Sequence, residues 1–301
     1  MTINPAKSDN GIRFKRTDLG ESPDIPAFMN RVVGTTLATT IAEHGIKVAT
    51  TEHLMAALAA MGIDNANIEL DGGEVPIMDG SAFAFVAMLR EAGRRQQREA
   101  RKFVKVTRPI TLHDEDRSIR ILPYRGFRIT ATIDFDHPMI GCQTYVIDPD
   151  AETFSREIAA ARTFGFLEEV EQMRHRGLAL GGSMENAVVL DRSTVLNREG
   201  LRFADEFVRH KILDIIGDLA LLGCPLMGHV IAHKSGHGQH LGVMQEIAAT
   251  PEAWEFVEMR DNGQFSVLDT MFHSTMAAGN RLLPFLMPPE SAPLPASAMA
   301  V

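Results

Sequence analysis

One twelve-residue segment, residues 207–218, constrains the fold more than any other part of the chain. Its apolar residues recur at three and four positions, which predicts a buried amphipathic helix, because an α-helix turns once in about 3.6 residues. His210, Asp214 and Asp218 lie along one stripe of that helix, drifting only roughly 80° over two turns. A carboxylate among isoleucines and leucines is costly to bury unless it is paired. The fold must therefore bring compensating groups to this helix.

A metal ion is one way to compensate the buried carboxylate. His210 and Asp214 are spaced i and i+4, so both can reach one cation, and Zn²⁺ accepts imidazole nitrogen together with carboxylate oxygen. The alternative is a plain His–Asp hydrogen bond between helix turns. A second predicted helix carries Glu52 and His53, which would add a third ligand and a base. Alone, this pair is equally typical of a helix-capping carboxylate beside a hydrogen-bonded histidine.

Two further residues are candidates for catalysis. His237 lies between Gly236 and Gly238, a pattern that predicts a turn able to present the imidazole to a cleft as a general acid or charge stabiliser. A solvated loop histidine is the alternative. Thr163 could donate its hydroxyl to a developing oxyanion, or it could cap a turn.

Composition excludes several classes of function. Thirty Lys and Arg against 39 Asp and Glu give a formal net charge of −9, which argues against a nucleic-acid surface. Two cysteines make a disulfide framework improbable and fit a reducing compartment, with both predicted as buried small hydrophobes. The chain has no signal-peptide pattern and no apolar run of about 18 residues. We expect a cytoplasmic protein with no stable membrane insertion.

The order of predicted elements repeats in the two halves of the chain. Strands over about 11–50, a helix over 51–62, a strand over 64–70 and a helix from Ser81 make up the first half. A polar run over 94–102 then precedes a second succession of strands and helices. This predicts an α+β fold of two similar domains, each a β-sheet layered against α-helices, with the active site in the cleft between them. The predicted ranges follow: domain I over 1–98, domain II over 99–283, and a Pro-rich disordered tail over 284–301.

A succession of ordered motifs across the chain resembles the zinc-dependent UDP-3-O-acyl-N-acetylglucosamine deacetylases. The resemblance runs from about residue 4 to about residue 283 and is more specific than any single motif. The matching blocks are residues 14–19, 51–58, 62–65, 74–81, 132–138, 161–166, 180–183, 207–218 and 234–237. It also implies a strand hairpin with a Gly-Leu-His-Thr-Gly-like turn ahead of Met1, which domain I lacks here.

The resemblance implies a role for each matching position. The zinc ligands would be His53, His210 and Asp214. The catalytic residues would be Glu52 as general base, His237 as the cation that protonates the leaving amine, Thr163 as an oxyanion donor and Asp218 as the partner of His237. The substrate-binding residues would be Lys211, Phe164, Phe135 and Asp134.

The implied activity is hydrolysis of the N-acetyl group of a UDP-linked, 3-O-acylated glucosamine, the committed step of lipid A biosynthesis. The implied protein is a monomer with one Zn²⁺, although His and carboxylate ligands also accept Fe²⁺. Two alternatives remain open at this point. One is a zinc amidohydrolase that acts on another N-acyl sugar, and the other is an inactive relative with a binding role.

Overall fold

The computed structural model describes residues 1–169 and 181–259, together with the backbone of residues 265–267. The first half of the chain forms two small sheets and two helices. The larger sheet has the strand order β1-β7-β2-β3 and the smaller has the order β4-β5-β6. The strands are β1 Thr2–Pro5, β2 Ile12–Arg16, β3 Ile25–Pro26, β4 Val32–Gly34, β5 Thr40–Glu43, β6 Ile46–Val48 and β7 Ala66–Leu70. The helices are α1 Glu52–Ala60 and α2 Phe83–Ala92.

The second half is built on an eight-stranded mixed sheet. Its main path is β12-β11-β15-β8-β16-β17, and β10 pairs with both β15 and β9. Strands β13 and β14 form a separate parallel pair. The strands are β8 Lys102–Val106, β9 Ile110–Asp114, β10 Arg117–Leu122, β11 Phe127–Phe135, β12 Gly141–Ile147, β13 Phe164–Phe166, β14 Val188–Leu190, β15 Leu226–His233, β16 Trp254–Met259 and β17 Phe265–Val267. The helices are α3 Ala151–Glu157, α4 Glu206–Leu219 and α5 His237–Ala249.

Helix α4 is the central element of the molecule. It packs on strands β11 and β12, and helices α1 and α5 also contact it. Strand β11 alternates in burial, so that Ile129, Ala131 and Ile133 form part of the core. All but two residues of α4 are buried, including three that carry ionisable side chains in the predicted stripe. The predicted buried helix is confirmed, and its polar side chains must find partners inside the protein.

A glycine allows α1 and α4 to approach each other closely. A Cβ atom at Gly217 would lie 2.0 Å from the carbonyl oxygen of Glu52, a distance that real Cβ atoms do not adopt. Backbone therefore meets backbone where the two helices touch. This contact places Glu52 and His53, at the start of α1, beside the polar stripe of α4.

The mixed α+β fold agrees with the prediction, and two details differ. His237 begins α5 instead of lying on a turn. Cys142, predicted to be buried, is exposed on β12.

The predicted domain ranges stay a prediction. Among the described strands, none before residue 98 pairs with one after it. The predicted disordered tail lies outside the described residues.

Candidate metal centre and active site

The three predicted metal ligands lie together at the start of α1 and along α4. Their donor atoms are all within 4.8 Å of one another. Nε2 of His210 is 3.3 Å from Oδ1 of Asp214, and Nε2 of His53 is 3.8 Å from the same oxygen. All three side chains are buried. The structure thus brings together residues that are more than 150 positions apart in the chain.

The chemistry of these three side chains fits a cation. Burial lowers the pKa of both imidazoles, that of His53 to about 3, so both are neutral at pH 7. Nδ1 of His210 lies 3.0 Å from the carbonyl oxygen of Ala161 and must carry the ring proton, which leaves Nε2 as an acceptor. Oδ1 of Asp214 is buried and has no hydrogen-bond donor among the described residues. Two acceptors, Nε2 of His210 and Oδ1 of Asp214, thus face each other in the interior, and a metal ion bound there would relieve this unfavourable contact.

Glu52 lies beside this centre and is itself buried. Its Oε2 accepts a hydrogen bond of 3.1 Å from the backbone N–H of Thr39. Burial raises the pKa of Glu52 to about 8, with Asp218 and Asp214 adding to the shift and His237 opposing it. A carboxylate with a pKa near neutral, held next to a metal centre, can accept a proton from water.

His237 and Asp218 form a second polar cluster, one helical turn along α4. Nδ1 of His237 lies 2.7 Å from Oδ2 of Asp218, and Nδ1 of His240 lies 2.6 Å from the same oxygen. Burial opposes the charge on His237, but the carboxylates of Asp218, Asp214 and Glu52 outweigh it and raise its pKa to about 9. His237 is therefore cationic at neutral pH, as a proton donor in this position must be.

Thr163 lies on a segment that a buried ion pair holds against α4. The guanidinium of Arg162 contacts Glu206 at 2.8 Å, and the backbone N–H of Arg162 donates to the same carboxylate at 3.0 Å. The residue on one side of Arg162 is Ala161, the acceptor for His210, and the residue on the other side is Thr163. The backbone N–H of Thr163 donates to Gly80 at 2.7 Å. The ion pair therefore fixes both neighbours relative to the metal centre.

Three of the four predicted substrate-binding residues lie together, two of them as a pair of aromatic rings. The ring of Phe164 lies 5.6 Å from that of Phe135, and Nζ of Lys211 lies 5.5 Å above it. Nζ of Lys211 also donates to Oδ2 of Asp214 at 3.0 Å, which links this cluster to the metal centre. Asp134 is next to Phe135 on β11, and its carboxylate pairs with Lys234 at 3.1 Å.

Sequence reasoning missed four groups that support the site: the Thr39 side chain and backbone, the Ala161 carbonyl, the Arg162–Glu206 pair and His240. Two of them left a signal in the spacing. Glu206 precedes His210 by four residues and His240 follows His237 by three, so each shares a helix face with a residue that was singled out. The other two depend on loops whose position only the tertiary structure defines.

A cavity of about 760 Å³ lies apart from this chemistry. It is lined by the far end of α1, including Leu58 and Ala59, and by the far end of α4, including Ile216 and Leu219. The described residues that line it include none of the predicted catalytic, metal-binding or substrate-binding residues. We place the site at the polar cluster, because chemistry requires the ionisable groups and the cavity is mostly apolar.

No helix among the described residues combines the length and the apolar character needed to cross a membrane.

Comparison with known proteins gives a consistent result. A profile of the family described as UDP-3-O-acyl N-acetylglycosamine deacetylase matches residues 1–249. A protein of Syntrophotalea carbinolica named UDP-3-O-acyl-N-acetylglucosamine deacetylase is 53% identical over 258 residues, which are 86% of this chain and 84% of the relative. A protein of the same name from Myxococcus xanthus is 49% identical over 260 residues, covering 86% and 83%. One from Hahella chejuensis is 47% identical over 266 residues, covering 88% of each.

Proposed function

The chain belongs to the UDP-3-O-acyl-N-acetylglucosamine deacetylase family, and on this premise we propose how its residues carry out the reaction. The family acts in lipid A biosynthesis, and its members are metal-dependent hydrolases of an amide. The chain removes the N-acetyl group from the UDP-linked, 3-O-acylated glucosamine and releases acetate. We assign the metal site to His53, His210 and Asp214, and the metal to Zn²⁺, with Fe²⁺ able to take the same nitrogen and oxygen donors.

One observation carries the metal assignment: the ligand atoms of these three buried side chains lie within 4.8 Å of one another, and Oδ1 of Asp214 has no hydrogen-bond donor among the described residues. When bound, the ion supplies Lewis acidity, which polarises the acetamide carbonyl and makes water nucleophilic at neutral pH. The Ala161 carbonyl fixes the tautomer of His210 so that Nε2 is available as a ligand.

Glu52 is the general base of the proposed mechanism. Its buried carboxylate is held by the Thr39 backbone, and the charge of Asp214 acts on it, which supports a position beside the metal site. Glu52 takes the proton that water loses as its oxygen attacks the carbonyl carbon. A pKa raised to about 8 by burial makes ionised Glu52 a stronger base than an exposed glutamate, and the charge of a cation bound beside it would favour that ionised form at neutral pH.

His237 and Thr163 act on the charge and the leaving group. The attack places negative charge on the former carbonyl oxygen, and the Thr163 hydroxyl and the His237 imidazolium offset that charge. An amine leaves poorly until its nitrogen is protonated, and His237 supplies this proton from the ring nitrogen opposite Asp218. Asp218 keeps His237 cationic and oriented. The products are acetate and the free amine of the glucosamine.

Substrate binding is assigned to the pair of aromatic rings and its neighbours. Phe164 and Phe135 form an apolar surface for the substrate close to the metal centre, and Lys211 places a cation at its edge. Asp134, on the same strand as Phe135, approaches the nucleotide part. The proposal also includes a cytoplasmic monomer. Its two domains span residues 1–98 and 99–283, and the absence of strand pairing across residue 98 among the described strands supports this division.

The decisive experiment measures acetate release by mass spectrometry. The zinc-loaded protein should release one acetate per molecule of UDP-linked, 3-O-acylated N-acetylglucosamine, and a chelator should abolish the release until Zn²⁺ is restored. Free N-acetylglucosamine serves as the control substrate and should not be hydrolysed. Equal rates on both sugars would support a general N-acyl sugar hydrolase instead, and release that is unaffected by metal removal would contradict the mechanism.

A further inference from the structure

The carboxylate of Asp218 has more partners than a simple His–Asp dyad requires. Its Oδ2 is shared by Nδ1 of His237 at 2.7 Å and Nδ1 of His240 at 2.6 Å. Its Oδ1 accepts a hydrogen bond of 2.6 Å from the Thr39 hydroxyl. Asp218 and His240 are each 1% exposed, so no solvent competes for these bonds. The second imidazole therefore acts on the same oxygen that holds the proposed general acid.

The protonation of both rings follows from the chemistry of a carboxylate. An ionised carboxylate only accepts hydrogen bonds, so both Nδ1 atoms must carry a proton. Burial opposes ionisation of Asp218, but His237 and His240 together hold its pKa well below the usual range. On its far side, Nε2 of His240 lies 3.1 Å from the Ser235 hydroxyl, which completes the hydrogen bonds of the ring. His240 therefore contacts the proposed general acid through the shared carboxylate and through a ring contact of 6.0 Å between centroids.

We propose that His240 is a positioning residue. By donating to the same oxygen of Asp218, it weakens the interaction of that oxygen with His237. This inference rests on the proposed function of His237 as the general acid. A donor that already occupies Oδ2 reduces the negative charge that this oxygen offers to a second donor. His237 then keeps its proton through neutral pH and still gives it up to the leaving nitrogen.

The expected direction follows from the groups that face His237. These are Asp218 and Asp214 from α4, Glu52 from α1, and His240 from the same helix, and the imidazoles of His53 and His210 also interact electrostatically with His237. Removing the Nδ1–H donor of His240 leaves more of the Asp218 charge for His237, and it also removes any positive charge that His240 carries. Both effects raise the pKa of His237, so the direction is the same whichever form of His240 is present.

The experiment uses three variants of the zinc-loaded protein and two readouts. His240→Phe fills the site without a donor, and His240→Asn restores an N–H near the position of Nδ1. Val243→Ala is the control, which perturbs the same helix at a buried residue that cannot donate a side-chain hydrogen bond to Asp218. The first readout is the titration of His237 by ¹⁵N nuclear magnetic resonance. The second is the alkaline limb of kcat/KM against pH.

We expect His240→Phe to raise the pKa of His237 by roughly 0.5 to 1 unit and to move the alkaline limb upward by the same amount. His240→Asn should restore the parent values, and Val243→Ala should lower thermal stability without moving either readout. An unchanged or lowered pKa of His237 in His240→Phe would overturn the inference, as would an equal shift in Val243→Ala. If the magnetic resonance titration moves and the kinetic limb does not, the coupling stands and the role of His237 as general acid fails.

Discussion

Two clusters on α4 have the same composition, two histidines and one aspartate, and differ in how their polar atoms are satisfied. In the first, the ligand atoms of His53, His210 and Asp214 lie within 4.8 Å of one another, and Oδ1 of Asp214 is buried with no hydrogen-bond partner among the described residues. In the second, every oxygen of Asp218 has a protein donor. Composition and proximity would suit a metal in both.

The difference suits the first cluster to binding a metal ion and the second to transferring a proton. The first needs a cation to satisfy it, whereas the second is already complete and would lose three hydrogen bonds if a metal took Asp218. We therefore expect one metal ion per chain, in the first cluster.

Removing a ligand from the first cluster should abolish both metal binding and activity. His210→Ala should lower the metal content to well below one ion per chain and reduce kcat/KM by roughly 10⁴-fold or more, since the Lewis acid supplies several kcal/mol of stabilisation. Metal analysis of the purified protein measures the first effect, and acetate release the second. Asp218→Asn is the matched control and should keep its metal. Loss of metal from the control would mean that the two clusters are not distinct.

Neutralising Glu52 should separate binding from catalysis. Glu52→Gln keeps the acceptor for the Thr39 N–H but cannot take a proton, so we expect a loss of about 10² to 10⁴ in kcat at full metal content. Rates under saturating substrate, together with metal analysis, check this. A variant as active as the parent would refute the assignment of the base.

Removing the charge of Asp218 should shift the pH dependence. In the proposed mechanism His237 acts in its protonated form, and its pKa of about 9 predicts that the parent loses activity as the pH rises through that value. Asp218→Asn removes the main group that raises this pKa, so the alkaline limb of kcat/KM should move toward lower pH, with a loss of roughly tenfold or more at pH 8. A limb that stays in place would show that another group controls it.

Removing the Thr163 hydroxyl should have the smallest effect. Thr163→Val should lower kcat by roughly tenfold and leave KM unchanged, because the metal and His237 share the stabilisation of the oxyanion. Steady-state kinetics of the zinc-loaded variant measure both constants. A rise in KM with an unchanged kcat would instead assign the residue to substrate binding.

Local periodicity predicted the parts of this site that one helix carries. The i and i+4 spacing placed His210 and Asp214 on one face of α4, and the cost of burying a carboxylate among apolar residues pointed to a cation. The general mixed α+β fold also follows from the pattern of elements. The helix and the shared face of His210 and Asp214 are confirmed, because both depend on spacing within a few residues, whereas the cation stays a prediction.

The supporting groups could not be predicted from the pattern, because they meet only through tertiary contacts. Thr39 reaches Asp218 across 179 positions, and Ala161 reaches His210 across 49. His237 was expected on a turn because of its two flanking glycines. It begins α5 instead, where Gln239 accepts a hydrogen bond from the Gly236 backbone and so stabilises the start of a helix.

Because the backbones of α1 and α4 touch at Gly217, a substitution at this residue should affect folding and catalysis together. Even a methyl group at this position would wedge α1 away from α4, and the same displacement would separate Glu52 and His53 from the ligands on the other helix. Thermal stability and turnover therefore cannot be adjusted independently here. A mutational scan selected for folding alone and one selected for activity alone should reject the same substitutions at this residue.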